Sequence, residues 1–143
     1  MEKLELSKIA IDFIKYATFG VTIEVIFTAW CDVLEARKNG KSIPWRLQGF
    51  SYIWMIPIYG SIAFFAPLIF PVMQAYPLII RLMLYGVIIL AVEYVTGQIL
   101  KKMIGRCPWH YESRFAIHNV IRLDYYPLWM FFAWIVEELY YLY

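Results

Sequence analysis

Long apolar stretches make up most of this chain and limit the folds it can adopt. Four of them approach the roughly 20 residues that a helix needs to cross a hydrocarbon core about 30 Å thick. They cover residues 9–34, 50–70, 82–100 and 123–142. Hydrophobic residues make up 62% of the chain, which is more than soluble domains usually contain. The sequence therefore predicts an all-α, polytopic membrane protein, a four-helix transmembrane bundle formed by a single domain of residues 1–143.

Prolines distinguish the second stretch from the other three. Pro57, Pro67 and Pro71 lie within it or at its end. A proline in a helix interior removes a backbone donor and bends the helix. We therefore expect a kinked second helix whose residues 54–60 form the wall of a cavity. The alternative is a kink that packing alone accommodates.

The distribution of basic residues predicts the orientation in the membrane. The connecting segments 35–49 and 101–122 carry nine of the lysines and arginines, and such residues are retained on the cytoplasmic side. We expect both segments to be cytoplasmic loops and both termini to lie outside. Cys31 and Cys107 then lie near or in a reducing compartment, so no disulfide is expected.

Two glutamates, Glu24 and Glu93, stand in the middle of apolar stretches. An ionisable side chain at bilayer depth costs at least about 2.5 kcal/mol, so it persists mainly where it faces a bundle interior, a partner or a ligand. Gly20 and Gly97 each lie one helical turn from a glutamate, where a small residue lets helices approach closely or leaves room for a ligand or water beside the acid. If the two helix faces converge, the carboxylates form one polar site. The alternative is that each glutamate is hydrogen-bonded to a neighbouring helix.

Five motifs, taken in order, carry a resemblance to a known family: GVTIEVIF at 20–27, YIWMIPIYG at 52–60, EYVTG at 93–97, PWHY at 108–111 and LDYYPLW at 123–129. They resemble the TMEM229 family, which is similar to bacterial proteins labelled "putative ABC-transporter type IV" membrane proteins. The resemblance implies no established biochemical activity. The matching positions are Glu24, Tyr59, Gly60, Glu93, Gly97, Pro108, Trp109, Tyr111, Tyr125, Pro127 and Trp129.

The chain departs from this family pattern at two positions. His110 stands where aspartate is usual, and Asn119 stands where glycine is usual. The spacing of His110 and His118 matches no established metal motif, so we predict neither a metal nor a cofactor. Residues 40–42 resemble the end of a phosphate-binding loop, but the earlier glycine is missing and no strand precedes them. An ABC-transporter role would therefore require a separate nucleotide-binding partner.

Three functions are compatible with these features. The sequence favours binding or transport of a cation or an amphipathic small molecule, with aromatic rings supplying cation–π contacts. A second hypothesis is a membrane enzyme in which glutamates act as acid and base on a lipid or isoprenoid. A third is a structural accessory subunit. Expected partners are membrane lipids and either a second copy or a separate transporter subunit, without nucleic acid. The predicted ligand-binding residues are Glu24, Trp54, Tyr59, Glu93, Tyr94, Trp109, His110, Tyr111, Tyr125 and Trp129.

Overall fold

A computed structural model describes residues 2–43, 46 and 48–142, with side chains from residue 5 onward. It is mostly helical. The helices are α1 (Glu2–Lys38), α2 (Met55–Gly60), α3 (Ile62–Met73), α4 (Leu78–Ile104) and α5 (Tyr126–Leu142). Two short antiparallel strands, β1 (Ala116–Ile117) and β2 (Ile121–Arg122), lie between α4 and α5. The all-α prediction therefore missed one small element.

Three helical stretches of the described chain are long and apolar enough to cross a membrane. They are Glu5–Lys38, Met55–Met73, which combines α2 and α3, and Leu78–Ile104. Their length and composition support a membrane protein. The fourth predicted span corresponds to α5, which has 17 residues, or about 25 Å at 1.5 Å per residue. That length is short of a full crossing, so the four-helix bundle stays a prediction.

The helices begin and end at other residues than predicted. α1 extends to Lys38 because the four residues after its apolar part, Glu35, Ala36, Arg37 and Lys38, are strong helix formers. The second span begins at Met55 rather than at residue 50. It is divided only at Ser61, whose backbone is still right-handed helical, with φ −62° and ψ −19°. The predicted kink at the prolines of this span stays a prediction.

The chain divides into two compact units, Met1–Phe65 and Ala66–Tyr143, and each is described by itself. In the first unit, α1 packs against α2 through two glycines. The ring of Tyr59 lies against Gly20, and the ring of Phe13 lies against Gly60, so a side chain at either glycine would overlap an aromatic ring. The paired glycines thus allow the two helices to approach closely.

In the second unit, α4 packs against α5 and also against the segment that joins them. α4 continues to Ile104 and ends at Gly105, which has the left-handed conformation common after helix C-termini. The following residues 107–122, which we call the hairpin segment, fold back onto α4. Val120, Cys107 and Trp109 all lie against Gly97. The predicted loop 101–122 is therefore one helical turn followed by a docked hairpin.

Candidate functional site

The first candidate site, which we call the Glu24 cluster, lies in the first unit and consists of Glu24, Ser51 and Tyr59. The Ser51 hydroxyl donates a hydrogen bond of 2.7 Å to Glu24 Oε2. The Tyr59 hydroxyl is a second hydrogen-bond donor to this carboxylate. Within the described residues, no lysine, arginine or histidine nitrogen lies within 4.0 Å of it. Only neutral groups of the described chain therefore bind this acid.

Contacts between residues 48–52 and α1 position Ser51. Residues 48–52 have no regular secondary structure and run beside α1. The Phe50 amide donates a 2.8 Å hydrogen bond to the hydroxyl of Thr28, which lies one turn after Glu24. Gly49 lies against the carbonyl of Val25 so closely that a Cβ atom would overlap it. Because Gly49 has no side chain, the backbone can approach α1 closely enough for Ser51 to reach Glu24.

The second candidate site, the Glu93 cluster, lies in the second unit and consists of Glu93, Tyr111 and Tyr125. The Tyr111 hydroxyl donates a 2.9 Å hydrogen bond to Glu93 Oε1, and the Tyr111 ring meets that of Tyr125 edge-on at 5.8 Å. Glu93 is 8% exposed. Two of these residues come from the hairpin segment and the turn after it, so docking of this segment covers the Glu93 carboxylate.

Docking of the hairpin segment depends on Trp109 and Gly97. Trp109 is buried, and its indole nitrogen donates a 3.0 Å hydrogen bond to the Val120 carbonyl across the hairpin. Cys107 lies beside the same glycine, and burial raises the pKa of its thiol. The space that Gly97 leaves beside Glu93 is thus occupied by the chain itself.

Five of the predicted ligand-binding residues belong to neither the Glu24 cluster nor the Glu93 cluster. Tyr94 pairs with His118, the hydroxyl 2.8 Å from Nδ1, and His110 lies on the surface. Trp54 is exposed at the residue before α2. The Trp129 indole nitrogen is buried without a hydrogen-bond partner in the described chain. Trp109, as above, holds the hairpin together. Convergence of Glu24 and Glu93 stays a prediction, because the two residues belong to different units.

His110 and Asn119, which depart from the TMEM229 pattern, contact each other. Asn119 Nδ2 lies 3.3 Å from His110 Nε2 and donates a 3.1 Å hydrogen bond to the Tyr111 carbonyl. His118 and Asn119 have φ angles of 50° and 61° and form the turn between β1 and β2. Asparagine and glycine are the residues that best tolerate this left-handed conformation. The backbone therefore explains why Asn119 can replace a glycine.

Asn119 gives a direct test of this turn. Asn119→Ala and Asn119→Gly both remove the side-chain hydrogen bonds, but only alanine is strained at φ 61°. We expect the alanine variant to be less stable than the glycine variant by about 1 kcal/mol. Reversible unfolding in detergent micelles, followed by circular dichroism, measures the difference. Equal stability of the two variants would contradict the left-handed turn.

A third polar cluster was missed by the sequence analysis. Glu137 on α5 is 1% exposed and accepts three hydrogen bonds: from Tyr85 at 2.8 Å, Gln74 at 3.0 Å and Arg81 at 3.1 Å. We call these four residues the Glu137 cluster. A signal was present in the sequence: Arg81 lies near the start of one apolar stretch and Glu137 near the end of the next. Antiparallel helices bring such positions to the same level.

The described residues contain no group of three or more His, Cys, Asp or Glu side chains that could hold a metal ion. His110 and Glu112 approach to 3.9 Å on an exposed surface. The Glu24 and Glu93 clusters combine one carboxylate with hydroxyl groups and aromatic rings. This donor set suits a proton or an organic cation better than a transition metal, which prefers imidazole or thiolate ligands.

Comparison with known proteins gives one family. The sequence profile of the family described as "Putative ABC-transporter type IV" matches residues 11–143, which is nearly the whole chain. No solved structure matches the chain.

Proposed function

Because the chain belongs to the "Putative ABC-transporter type IV" family, we propose that it is a membrane subunit of a transporter whose Glu24 cluster binds a cation. The site holds a proton when it is empty and exchanges it for an amphipathic organic cation. Binding at a membrane-embedded carboxylate is the step that a transporter of such cations requires.

The observation that carries this proposal is the absence of a positive partner for Glu24 in the described chain. Ser51 and Tyr59 supply hydrogen bonds but no charge. Glu137 differs, because Arg81 forms an ion pair with it at 3.1 Å. An uncompensated carboxylate at bilayer depth is costly. A proton or a bound cation removes that cost at Glu24, as Arg81 does at Glu137.

The surroundings of Glu24 also favour an organic cation. The Tyr59 ring lies against Gly20, one helical turn before the carboxylate. A cation beside Glu24 can therefore contact an aromatic face as well as a negative charge. Glu24 belongs to α1 and Tyr59 belongs to α2, so the cation is held between these two helices of the first unit.

Energy coupling requires a partner under this proposal. The printed sequence has no complete phosphate-binding loop, so a separate subunit supplies ATP hydrolysis. We also propose the orientation with residues 35–49 and 101–122 on the cytoplasmic side, where lysines and arginines are retained. The TMEM229 likeness and an enzymatic role on a lipid or isoprenoid stay predictions.

Calorimetric titration with tetraphenylphosphonium, an amphipathic cation, tests the site. We expect wild-type protein in detergent to bind it and Glu24→Gln to bind at least about tenfold more weakly, since glutamine keeps the shape but loses the charge; tenfold is about 1.4 kcal/mol. Ser51→Ala, which keeps the carboxylate, should have an intermediate effect.

Asp32→Asn is the matched control for this titration. Asp32 is an exposed acid on the same helix, so its loss changes net charge equally without touching the Glu24 cluster. Affinity should match that of the wild type. Binding that is unchanged in Glu24→Gln, or lost equally in Asp32→Asn, would contradict the proposed site.

A further inference from the structure

The position of the hairpin segment relative to the bilayer follows from the length of α4. α4 has 27 residues, or about 40 Å, which exceeds a hydrocarbon core of about 30 Å. Counting about 20 residues from Leu78 places Gly97 at the edge of the core. Lys101 and Lys102, in the last turn of α4, then lie beyond it. The hairpin segment docks at Gly97 and therefore lies at the membrane interface.

The backbone of the hairpin segment suits this location. Polar backbone groups near the hydrocarbon must be paired within the protein. The Tyr111 amide donates to the Asn119 carbonyl at 3.0 Å, and the Leu123 amide donates to the Phe115 carbonyl at 3.1 Å. β1 and β2 pair with each other. Together these bonds allow a non-helical segment to rest against α4 at the edge of the bilayer.

The structure divides the basic residues near the hairpin into two groups. Arg122 is engaged inside the protein: its Nε lies 3.1 Å from Asp124 Oδ1, and its guanidinium lies over the Tyr125 ring. The second group is exposed and forms no ion pair within the described chain. Its members are Lys101, Lys102, Arg106 and Arg114.

Apolar side chains are interspersed with this second group. Met103, Phe115 and Ile117 are 68%, 42% and 38% exposed. The Arg114 guanidinium lies 4.6 Å from the centre of the Phe115 ring. We call the four free basic residues and these three apolar residues the basic hairpin face. The only acid between residues 101 and 122 is Glu112, so the face carries a net positive charge.

We propose that the basic hairpin face binds the headgroups of anionic phospholipids in the leaflet beside the C-terminus of α4. Apolar side chains at an interface enter the acyl boundary, while lysine and arginine extend to the phosphate groups. Clusters of four or more basic residues next to a span bind acidic lipids for this reason. A soluble acidic partner would complement the charges but not the exposed Met103, Phe115 and Ile117. This surface shares no residue with the Glu24 cluster.

Native mass spectrometry of protein extracted from vesicles of equal parts phosphatidylcholine and phosphatidylglycerol tests the proposal. We expect wild-type protein to retain phosphatidylglycerol preferentially. The fourfold variant Lys101→Gln, Lys102→Gln, Arg106→Gln, Arg114→Gln should lose that preference by about tenfold or more, because the attraction is electrostatic. Raising the salt concentration should weaken lipid retention by the wild type in the same direction.

The matched control removes four other exposed cations. Arg37, Lys38, Lys41 and Arg46 lie in or after the last turn of α1, and their replacement by glutamine changes net charge equally. Basic residues at the end of any span attract anionic lipids to some extent, so phosphatidylglycerol retention by this variant should fall less than retention by the hairpin variant, whose site also includes the exposed Met103, Phe115 and Ile117. Equal retention by the hairpin variant and the wild type, or equal loss in the control, would overturn the proposal. Thermal unfolding of each variant verifies that it is folded during the measurement.

Discussion

Replacing Glu137 by alanine is expected to lower the free energy of unfolding by about 3–5 kcal/mol. Glu137 is 1% exposed and forms an ion pair with Arg81. Its removal leaves the buried Tyr85 hydroxyl and the largely buried Arg81 guanidinium without their common acceptor, whereas the Gln74 amide is exposed to solvent. Unsatisfied buried groups cost more than the net gain of the bonds they lose. Reversible unfolding in detergent micelles measures the effect.

The adjacent residue provides a matched control. Glu138 lies on the same helix but is exposed, and it accepts a hydrogen bond from Trp134. Glu138→Ala should change stability by no more than about 0.5 kcal/mol. The double variant Arg81→Met, Glu137→Met should recover part of the loss, since it removes both buried charges together. Equal effects of Glu137→Ala and Glu138→Ala would contradict the buried cluster.

Gly49→Ala is expected to disrupt the Glu24 cluster and to destabilise the first unit by about 3 kcal/mol, the upper end for overpacking. The added Cβ would overlap the Val25 carbonyl, which is backbone and cannot rotate away. Relief requires residues 48–52 to move off α1. That movement breaks the hydrogen bond between the Phe50 amide and Thr28, and also the hydrogen bond between the Ser51 hydroxyl and Glu24. The free energy of unfolding and the affinity for tetraphenylphosphonium should both decrease, as measured by reversible unfolding and by calorimetric titration.

Gly40 offers the control for this substitution. Its φ is +64°, and a Cβ atom added at this position would have no atom of the described chain within 4 Å apart from its own residue and its two chain neighbours. Gly40→Asn keeps a residue that tolerates this conformation, so stability and cation affinity should stay near the wild-type values. A Gly49→Ala protein with wild-type stability and affinity would mean that residues 48–52 do not pack on α1 as the structure has them.

Apolar length predicted most of the fold, because a membrane-spanning helix must satisfy its backbone internally over a fixed distance. Helix ends were harder to predict. Leu123–Tyr125 lies within the fourth apolar stretch but forms a separate turn before α5. Residues 50–52 are mostly apolar yet have no regular secondary structure, and Phe50 and Ser51 form hydrogen bonds to Thr28 and Glu24 of α1 instead of starting a helix. Composition does not distinguish these arrangements.

The candidate sites were predicted in part. Helical spacing indicated that Gly20 and Gly97 leave space near the glutamates, and each glycine does receive a side chain, from Tyr59 and Val120 respectively. Spacing alone does not identify the donor hydroxyl of Ser51, because that contact depends on how residues 48–52 fold back. For the same reason the sequence predicted residues 101–122 only as a connecting loop and did not indicate the two strands of the hairpin segment.

Infrared difference spectroscopy of the reconstituted protein, on addition of tetraphenylphosphonium, tests directly whether the cation displaces a proton from Glu24. We expect the carbonyl band of a protonated carboxylic acid to decrease while carboxylate bands grow, as the cation displaces the proton from Glu24. The change should persist in Asp32→Asn and disappear in Glu24→Gln. A band change that survives in Glu24→Gln, or none in the wild type despite binding, would contradict proton–cation exchange at Glu24.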